Sequence, residues 1–291
     1  MGIFDAVLQG IVQGLSEFLP ISSSGHLSVV QYFTGQGGES GAAFSILLHL
    51  GTLLAVCLAF HKTILELIVE FFGAVGDIFK GRFSIKNASP QRRMLFLLIV
   101  SLVPLGAVVF LKDFYTSFSA DNSIIMEGVC FLFTSLLLFL SERVKEGNKK
   151  AATMQYKDAV LIGCMQAVAP LPGLSRSGST IAAGIFVGLN RKYAVAFSFI
   201  MGIPAVLGAN LLEIKDIAGQ KLDTSLPVLL VGLVTSLIFG LLAIKMVNWL
   251  VTSNKFKIFA WYTLVLGILV LGTGIFEAVS GHALQNMILG A

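Results

Sequence analysis

The chain has 291 residues, of which 56 % are hydrophobic and only 12 % charged, with a formal net charge of +4 and a mean hydropathy of +0.87. A soluble domain carries about 25 % charged residues, so these values exclude an ordinary water-soluble protein and imply an all-α integral membrane protein. Cys57, Cys130 and Cys164 lie in apolar runs without metal-ligand spacing and read as small buried hydrophobes.

The N-terminal segment lacks a basic leader, and Asp5, Gln9, Gln13 and Glu17 interrupt its apolar stretch, so no cleavable signal peptide is expected. The pattern over 3–34 predicts a re-entrant helical hairpin: an apolar helical stretch, a break from Pro20 to Gly25, and a second short apolar stretch. Runs of spanning length follow at 42–60, 94–111 and 124–140. In the long loop between the first two, the amphipathic part around Ile64 to Phe79 is expected to lie along the membrane surface. A second hairpin is predicted over 157–189, broken from Pro170 to Gly178, and spans follow at 194–212, 226–248 and 258–276. Pro104 and Pro204 are expected to kink their helices, and Trp249, Trp261 and Tyr262 to anchor at the interface. His49 and Glu213 read as interhelical hydrogen-bonding residues.

The two hairpins are copies of one segment. DAVLQGIVQGLSEFLPISSSG at 5–25 and DAVLIGCMQAVAPLPGLSRSG at 158–178 share nine identities at a constant offset of 153, and Ala43-Phe44-Ser45 recurs as Ala196-Phe197-Ser198. Each half (1–145 and 156–280) then holds one hairpin and three crossings, and an odd number of crossings turns the second half upside down, an inverted-topology repeat. Non-helical backbone at membrane depth must be satisfied by protein or enclosed water, so the two breaks are expected to meet around a polar cavity. Basic residues set the orientation: Lys112, Lys215 and Lys221 fall on one face and 16 others on the opposite one, with Arg176 inside. The positive-inside rule makes the basic face cytoplasmic and puts both termini and the opening of the first hairpin outside. The asymmetry accounts for the net charge, so no nucleic-acid partner is expected.

The two loops carry different chemistry. Pro172-Gly173-Leu174-Ser175-Arg176-Ser177-Gly178-Ser179-Thr180 combines hydroxyls, glycines, a helix start and a guanidinium, the inventory of a phosphate clamp. A serine-rich helix cap would account for Ser177 or Ser179 but not for the arginine. The first loop holds Gln13, Glu17, Ser22, Ser23, Ser24 and His26. Gln13 and Glu17 share one helix face, and their oxygens suit a hard divalent cation, Mg2+ or Ca2+. His26 can act as nucleophile or general acid/base, and Ser23 or Ser24, activated by His26, can be the nucleophile instead. Charges inside a membrane mark functional sites by default, which singles out Glu17 and Arg176.

Gln13-x-x-x-Glu17 followed by Phe18-Leu19-Pro20-Ile21-Ser22-Ser23-Ser24-Gly25-His26, with Pro172-Gly173-x-Ser175-Arg176-Ser177-x-x-Thr180 in the other half, resembles the undecaprenyl-diphosphate phosphatases of the bacitracin-resistance type. The resemblance covers essentially the whole chain. It implies a bacterial plasma-membrane enzyme that removes the terminal phosphate of a C55 isoprenyl diphosphate, returns the lipid carrier to cell-wall synthesis and confers bacitracin resistance. It also implies a divalent cation and catalytic roles for Glu17, His26 and Arg176. Either Ser23 or His26 attacks, or His26 activates a water. Ser22, Ser24, Ser175, Ser177, Gly178 and Thr180 are the expected phosphate-binding residues, and Glu17 and Gln13 the metal ligands. The competing class is a transporter or flippase, since broken helices in inverted repeats also build carriers. Glycine- and alanine-rich helix faces suit a homodimer or packing within one chain.

Overall fold

A computed structural model describes residues 2–35, 39–84, 88–110, 123–217, 225–252 and 255–290. Lys86, Lys112 and Lys221, used in the charge count, lie outside the described residues, as does the side chain of Glu213. Among the described residues the fold is helical, with one isolated bridge between Lys149 and Leu189. The helices are α1 (Ile3–Phe18), α2 (Ser23–Thr34), α3 (Glu39–Ala59), α4 (His61–Phe79), α5 (Pro90–Leu102), α6 (Gly106–Phe110) and α7 (Ile125–Arg143). They continue with α8 (Tyr156–Val168), α9 (Arg176–Phe186), α10 (Arg191–Ile217), α11 (Leu226–Thr252), α12 (Lys257–Ser280) and α13 (Ala283–Leu289).

Four stretches are each long and apolar enough to cross a membrane: Ile125–Arg143, Arg191–Leu212, Leu226–Val251 and Lys257–Ser280. They coincide with four of the six predicted spans. The fifth, 42–60, is α3, which passes the same test together with α4 across a bend of 83°. The sixth differs from expectation. The run 94–111 does not form one helix: α5 ends at Leu102, Val103–Leu105 turn, and α6 resumes at Gly106. Pro104 is the cause: it has no N–H to give to the preceding turn. Although Val103 keeps helical dihedrals, the chain passes the proline through three-residue bonds, Val103 to Val100, Leu105 to Leu102 and Gly106 to Val103. The 13 residues of α5 reach only about 20 Å at 1.5 Å per residue. Pro204, by contrast, sits inside the continuous α10. The α11 and α12 side chains Leu230, Val234, Ile238, Leu242, Val265, Ile268 and Leu269 are about half exposed, as lipid-facing groups must be. The chain is a multi-pass membrane protein.

Small residues let the helices approach closely. A Cβ on Gly14 would lie 2.7 Å from the Ser236 carbonyl, and Gly51 abuts the same residue, so α11 is seated between α1 and α3. Gly163 presses on the Ser101 carbonyl, which fixes α8 against α5. Gly128 meets Leu271, and Gly267 and Gly274 meet Leu132 and Ile125, joining α7 to α12. The largest apolar cluster, including Phe18, Leu138, Ile181, Phe199, Val247 and Phe256, lies where α1, α7, α9, α10 and α11 converge. That convergence holds the breaks between α1 and α2 and between α8 and α9 at the centre of the molecule.

Candidate active site

Both breaks end in the same local device. Ser22 caps α2 by accepting from the Gly25 amide at 3.3 Å, and Ser175 caps α9 by accepting from the Gly178 amide at 3.0 Å. In each case a neighbouring hydroxyl, Ser24 or Ser177, lies 3.3 Å from the cap oxygen. The glycines at these caps make a tight junction between the loops. A Cβ on Gly25 would lie 2.6 Å from the Gly173 Cα and 2.7 Å from the Phe131 ring, and one on Gly178 would reach Pro20. Ser177 donates to the Leu19 carbonyl at 3.0 Å, directly from the second loop to the first. The expected meeting of the two breaks is therefore present in the fold.

At that junction a buried carboxylate and a guanidinium pair. Glu17, on the last turn of α1, receives Arg176 Nη2 on Oε1 at 2.6 Å. Its Oε2 accepts from Gln13 Nε2 at 2.9 Å and from the Ser23 hydroxyl at 2.7 Å, with His49 Nε2 3.8 Å away. Gln13 is fully buried, and its Oε1 has no hydrogen-bond partner among the described residues. Arg176 also donates to the Ser198 carbonyl, at 3.4 Å. Thr180, one turn further along α9, is bonded to Ser198 Oγ at 2.6 Å and to the Arg176 carbonyl at 2.8 Å. Beside the pair is a small crevice of about 10 Å³, lined by Thr52, Leu53, Val56, Phe199, Gly202 and Val206.

His26 stands apart from this cluster. Its Nδ1 is 2.6 Å from the Ser22 carbonyl, its Nε2 is 2.7 Å from the Tyr262 hydroxyl, and its ring stacks on Tyr262 within 5° of parallel. Phe131 closes the other side edge-on, with ring centroids 5.2 Å apart. Ser22 presents that carbonyl from a φ of 72°, a left-handed geometry that serine rarely adopts. Its repeat mate Ser175 has φ −74°, so the strain belongs to the first loop alone.

The structure thus unites Gln13, Glu17, Ser23 and Arg176, and leaves His26 outside that hydrogen-bonded cluster, on Ser22 and Tyr262. Ser23 is bonded to Glu17 rather than to His26, which differs from the expectation that histidine activates it. Ser175, Ser177, Gly178 and Thr180 are buried at the junction, Ser22 is buried at its cap, and Ser24 is exposed.

Residues 6–269 match the family model described as bacitracin resistance protein BacA. The chain belongs to the BacA family. It is 42 % identical over 275 residues to an undecaprenyl-diphosphatase of Methanosphaera stadtmanae, covering 93 % of this chain and 98 % of that one. Over 271 residues it is 40 % identical to an undecaprenyl-diphosphatase of Methanobrevibacter smithii, with 93 % and 97 % covered. An undecaprenyl-diphosphatase of Alkaliphilus metalliredigens is 39 % identical over 273 residues, with 93 % and 98 % covered.

Two residues near the BacA-family motifs carry more than their sequence positions suggest. His49 reads as an ordinary interhelical residue, yet it faces Glu17. The signal for it lies in the repeat: its counterpart at the same offset is Gly202, where the space a side chain would fill is taken by the Arg176 guanidinium. Tyr262 reads as an interfacial anchor, yet it holds His26. Nothing in its local sequence distinguishes it from Trp261, because the contact spans 236 residues.

Proposed function

We propose that this BacA-family protein hydrolyses undecaprenyl diphosphate to undecaprenyl phosphate and phosphate at the Glu17–Arg176 pair. The pair itself carries the reading: a partly buried guanidinium and a buried carboxylate, contributed by helix ends 159 residues apart, meet beside an apolar crevice. A lipid with a diphosphate head needs that combination, a fork for phosphate oxygens next to an apolar wall for the tail. The cavity of about 10 Å³ is about the size of one water, so the headgroup enters only when Glu17 and Arg176 part. Arg176 then turns its donors from Glu17 to the phosphate, and the charge that develops during transfer is stabilised where it forms.

The donor set around Gln13 fits a hard cation. Gln13 gives its Nε2 to Glu17 and leaves its buried Oε1 without a partner among the described residues. Turning the amide over would bring that oxygen beside the carboxylate, and both are ligands of the kind Mg2+ and Ca2+ take. Gln13 and Glu17 would hold the ion, which neutralises phosphate charge when bound.

For the attacking group the geometry favours Ser23. Its hydroxyl is already bonded to Glu17 Oε2, which takes the proton as Ser23 Oγ bonds to the terminal phosphorus. The bond to the bridging oxygen breaks, and undecaprenyl phosphate leaves without needing a proton. A water that displaces the Tyr262 hydroxyl then attacks the phosphoserine and gives its proton to His26 Nε2. Glu17 returns its proton to Ser23 Oγ as the bond to phosphorus breaks. Phosphate leaves, and His26 passes its proton to solvent.

The membrane arrangement follows from the same reading. Each α1-like helix packs on a helix of the other half, α1 on α11 and α8 on α5, and the repeat-matched Gly10 and Gly163 are contact points in both. This interlocking supports two inverted halves with re-entrant hairpins meeting mid-membrane. The basic face is cytoplasmic, and both termini and the active site open outward. Phosphate release frees the lipid carrier for reuse and removes the diphosphate that bacitracin captures.

The test is phosphate release from a C15 or C55 prenyl diphosphate by purified protein in detergent, with Mg2+ and with EDTA. Metal-dependent release by the wild type, lost in Glu17→Ala, Arg176→Ala and Ser23→Ala, is expected. No release from folded, lipid-binding protein would reject hydrolysis and point to transport.

A further inference from the structure

The pairing of His26 with Tyr262 has a chemical consequence beyond anchoring. A backbone carbonyl only accepts, so His26 Nδ1, 2.6 Å from the Ser22 carbonyl, carries the proton of the neutral ring. Nε2 then holds the lone pair, and the Tyr262 hydroxyl at 2.7 Å is the donor. The imidazole is fixed at three points: Ser22 sets its tautomer, Tyr262 and Phe131 set its plane, and the phenol occupies the nitrogen that reacts.

We propose that Tyr262 is the positioning residue of His26, orienting the ring whose Nδ1–H tautomer Ser22 sets and occupying Nε2 until water or phosphate takes the phenol's place. The inference rests on the role of His26 as base in the hydrolysis proposed above. Tyr262 acts through His26, and the binding of the headgroup stays with Arg176 and Glu17. The hydroxyl and the ring have separable duties. The ring plane is held by the stack, whereas the lone pair is occupied by the O–H. Tyr262→Phe removes the second and leaves the first.

Two readouts test this. The first is kinetic: Tyr262→Phe lowers kcat about tenfold with KM within about twofold, and Tyr262→Ala lowers kcat about a hundredfold, a share of the usual contribution of a general base. Trp261→Phe, the neighbouring aromatic that packs on Phe139 and not on His26, leaves both constants unchanged. The second is spectroscopic and needs no turnover. With 15N-labelled histidine, the His26 ring signals, assigned by their loss in His26→Gln, show the Nδ1–H tautomer with a hydrogen-bonded Nε2, and Tyr262→Phe moves the Nε2 resonance to that of a free lone pair. Wild-type kcat in Tyr262→Phe, or an unmoved Nε2 resonance, overturns the proposal. A wild type that releases no phosphate but shows the shifted Nε2 signal would reject the hydrolase reading, while the Tyr262 hydrogen bond would stand as a measured contact without a base to position.

Discussion

At the scale of single residues, the site is organised around one carboxylate. Glu17 serves Arg176 through one oxygen and Gln13 and Ser23 through the other, with a buried orphan oxygen on Gln13 beside it. Removing a partner from a buried pair leaves the other charge uncompensated, typically at a cost of 3–5 kcal/mol. Arg176 retains some exposure, so Arg176→Ala is expected to cost about 3 kcal/mol in denaturant unfolding in detergent. It is also expected to lower kcat by about a hundredfold or more. Arg176→Lys should restore the stability but not the rate, because an ammonium lacks the planar fork. Gln13→Glu adds a second carboxylate where an unpaired amide oxygen now stands. The Mg2+ concentration for half-maximal phosphate release is expected to fall, as read from a metal titration against the wild type. Gln13, Glu17, Ser23 and Arg176 are all legible in the sequence because polar and charged residues at or beside a break in an apolar segment have no apolar purpose. His49 and Tyr262 are not, since each sits on a helix as a plausible interhelical or interfacial side chain and acquires its partner only through tertiary packing.

At the scale of elements, the two breaks depend on glycine for contact rather than for flexibility alone. Gly25 has helical neighbours and an ordinary φ, yet a methyl group there would overlap the Gly173 backbone and the Phe131 ring. Gly25→Ala is therefore expected to destabilise the fold by about 1–3 kcal/mol and to depress activity, through separation of the loops. Thermal unfolding in detergent checks the first and phosphate release the second. Gly272, with open space around it, should accept alanine without loss and is the matching control. Helix ends and breaks were readable from proline and glycine, and four spans coincide with apolar runs in the sequence. The run 94–111 reads as one apolar stretch by composition, and Pro104, expected to kink it, opens it into a turn at 103–105. Pro204 leaves α10 continuous, so the presence of a proline does not by itself tell a kink from a break.

At the scale of the whole molecule, the proposed inverted arrangement makes a topological prediction. With the native cysteines replaced, Lys150→Cys should be shielded from a membrane-impermeant maleimide in intact cells, and Met287→Cys, on the exposed C-terminal α13, should be labelled. The reverse pattern would turn the molecule over and place the site on the cytoplasmic side. The repeat at an offset of 153 is the sequence feature that suggests this arrangement, whereas the packing of α1 on α11 and of α8 on α5 is not legible there, because helix partners between halves leave no mark on local hydropathy. The ion pair has a further consequence, in time rather than in space. Arg176 follows Glu17 by 159 residues, which ribosomes translate in roughly 8–30 s at typical elongation rates. For that interval the carboxylate exists in a nascent chain without the guanidinium it pairs with, and hydrocarbon is a costly place for it to wait. Under the arrangement proposed above, settling of the first break at membrane depth waits on synthesis of Arg176, and His26 gains its partner later still, when α12 brings Tyr262.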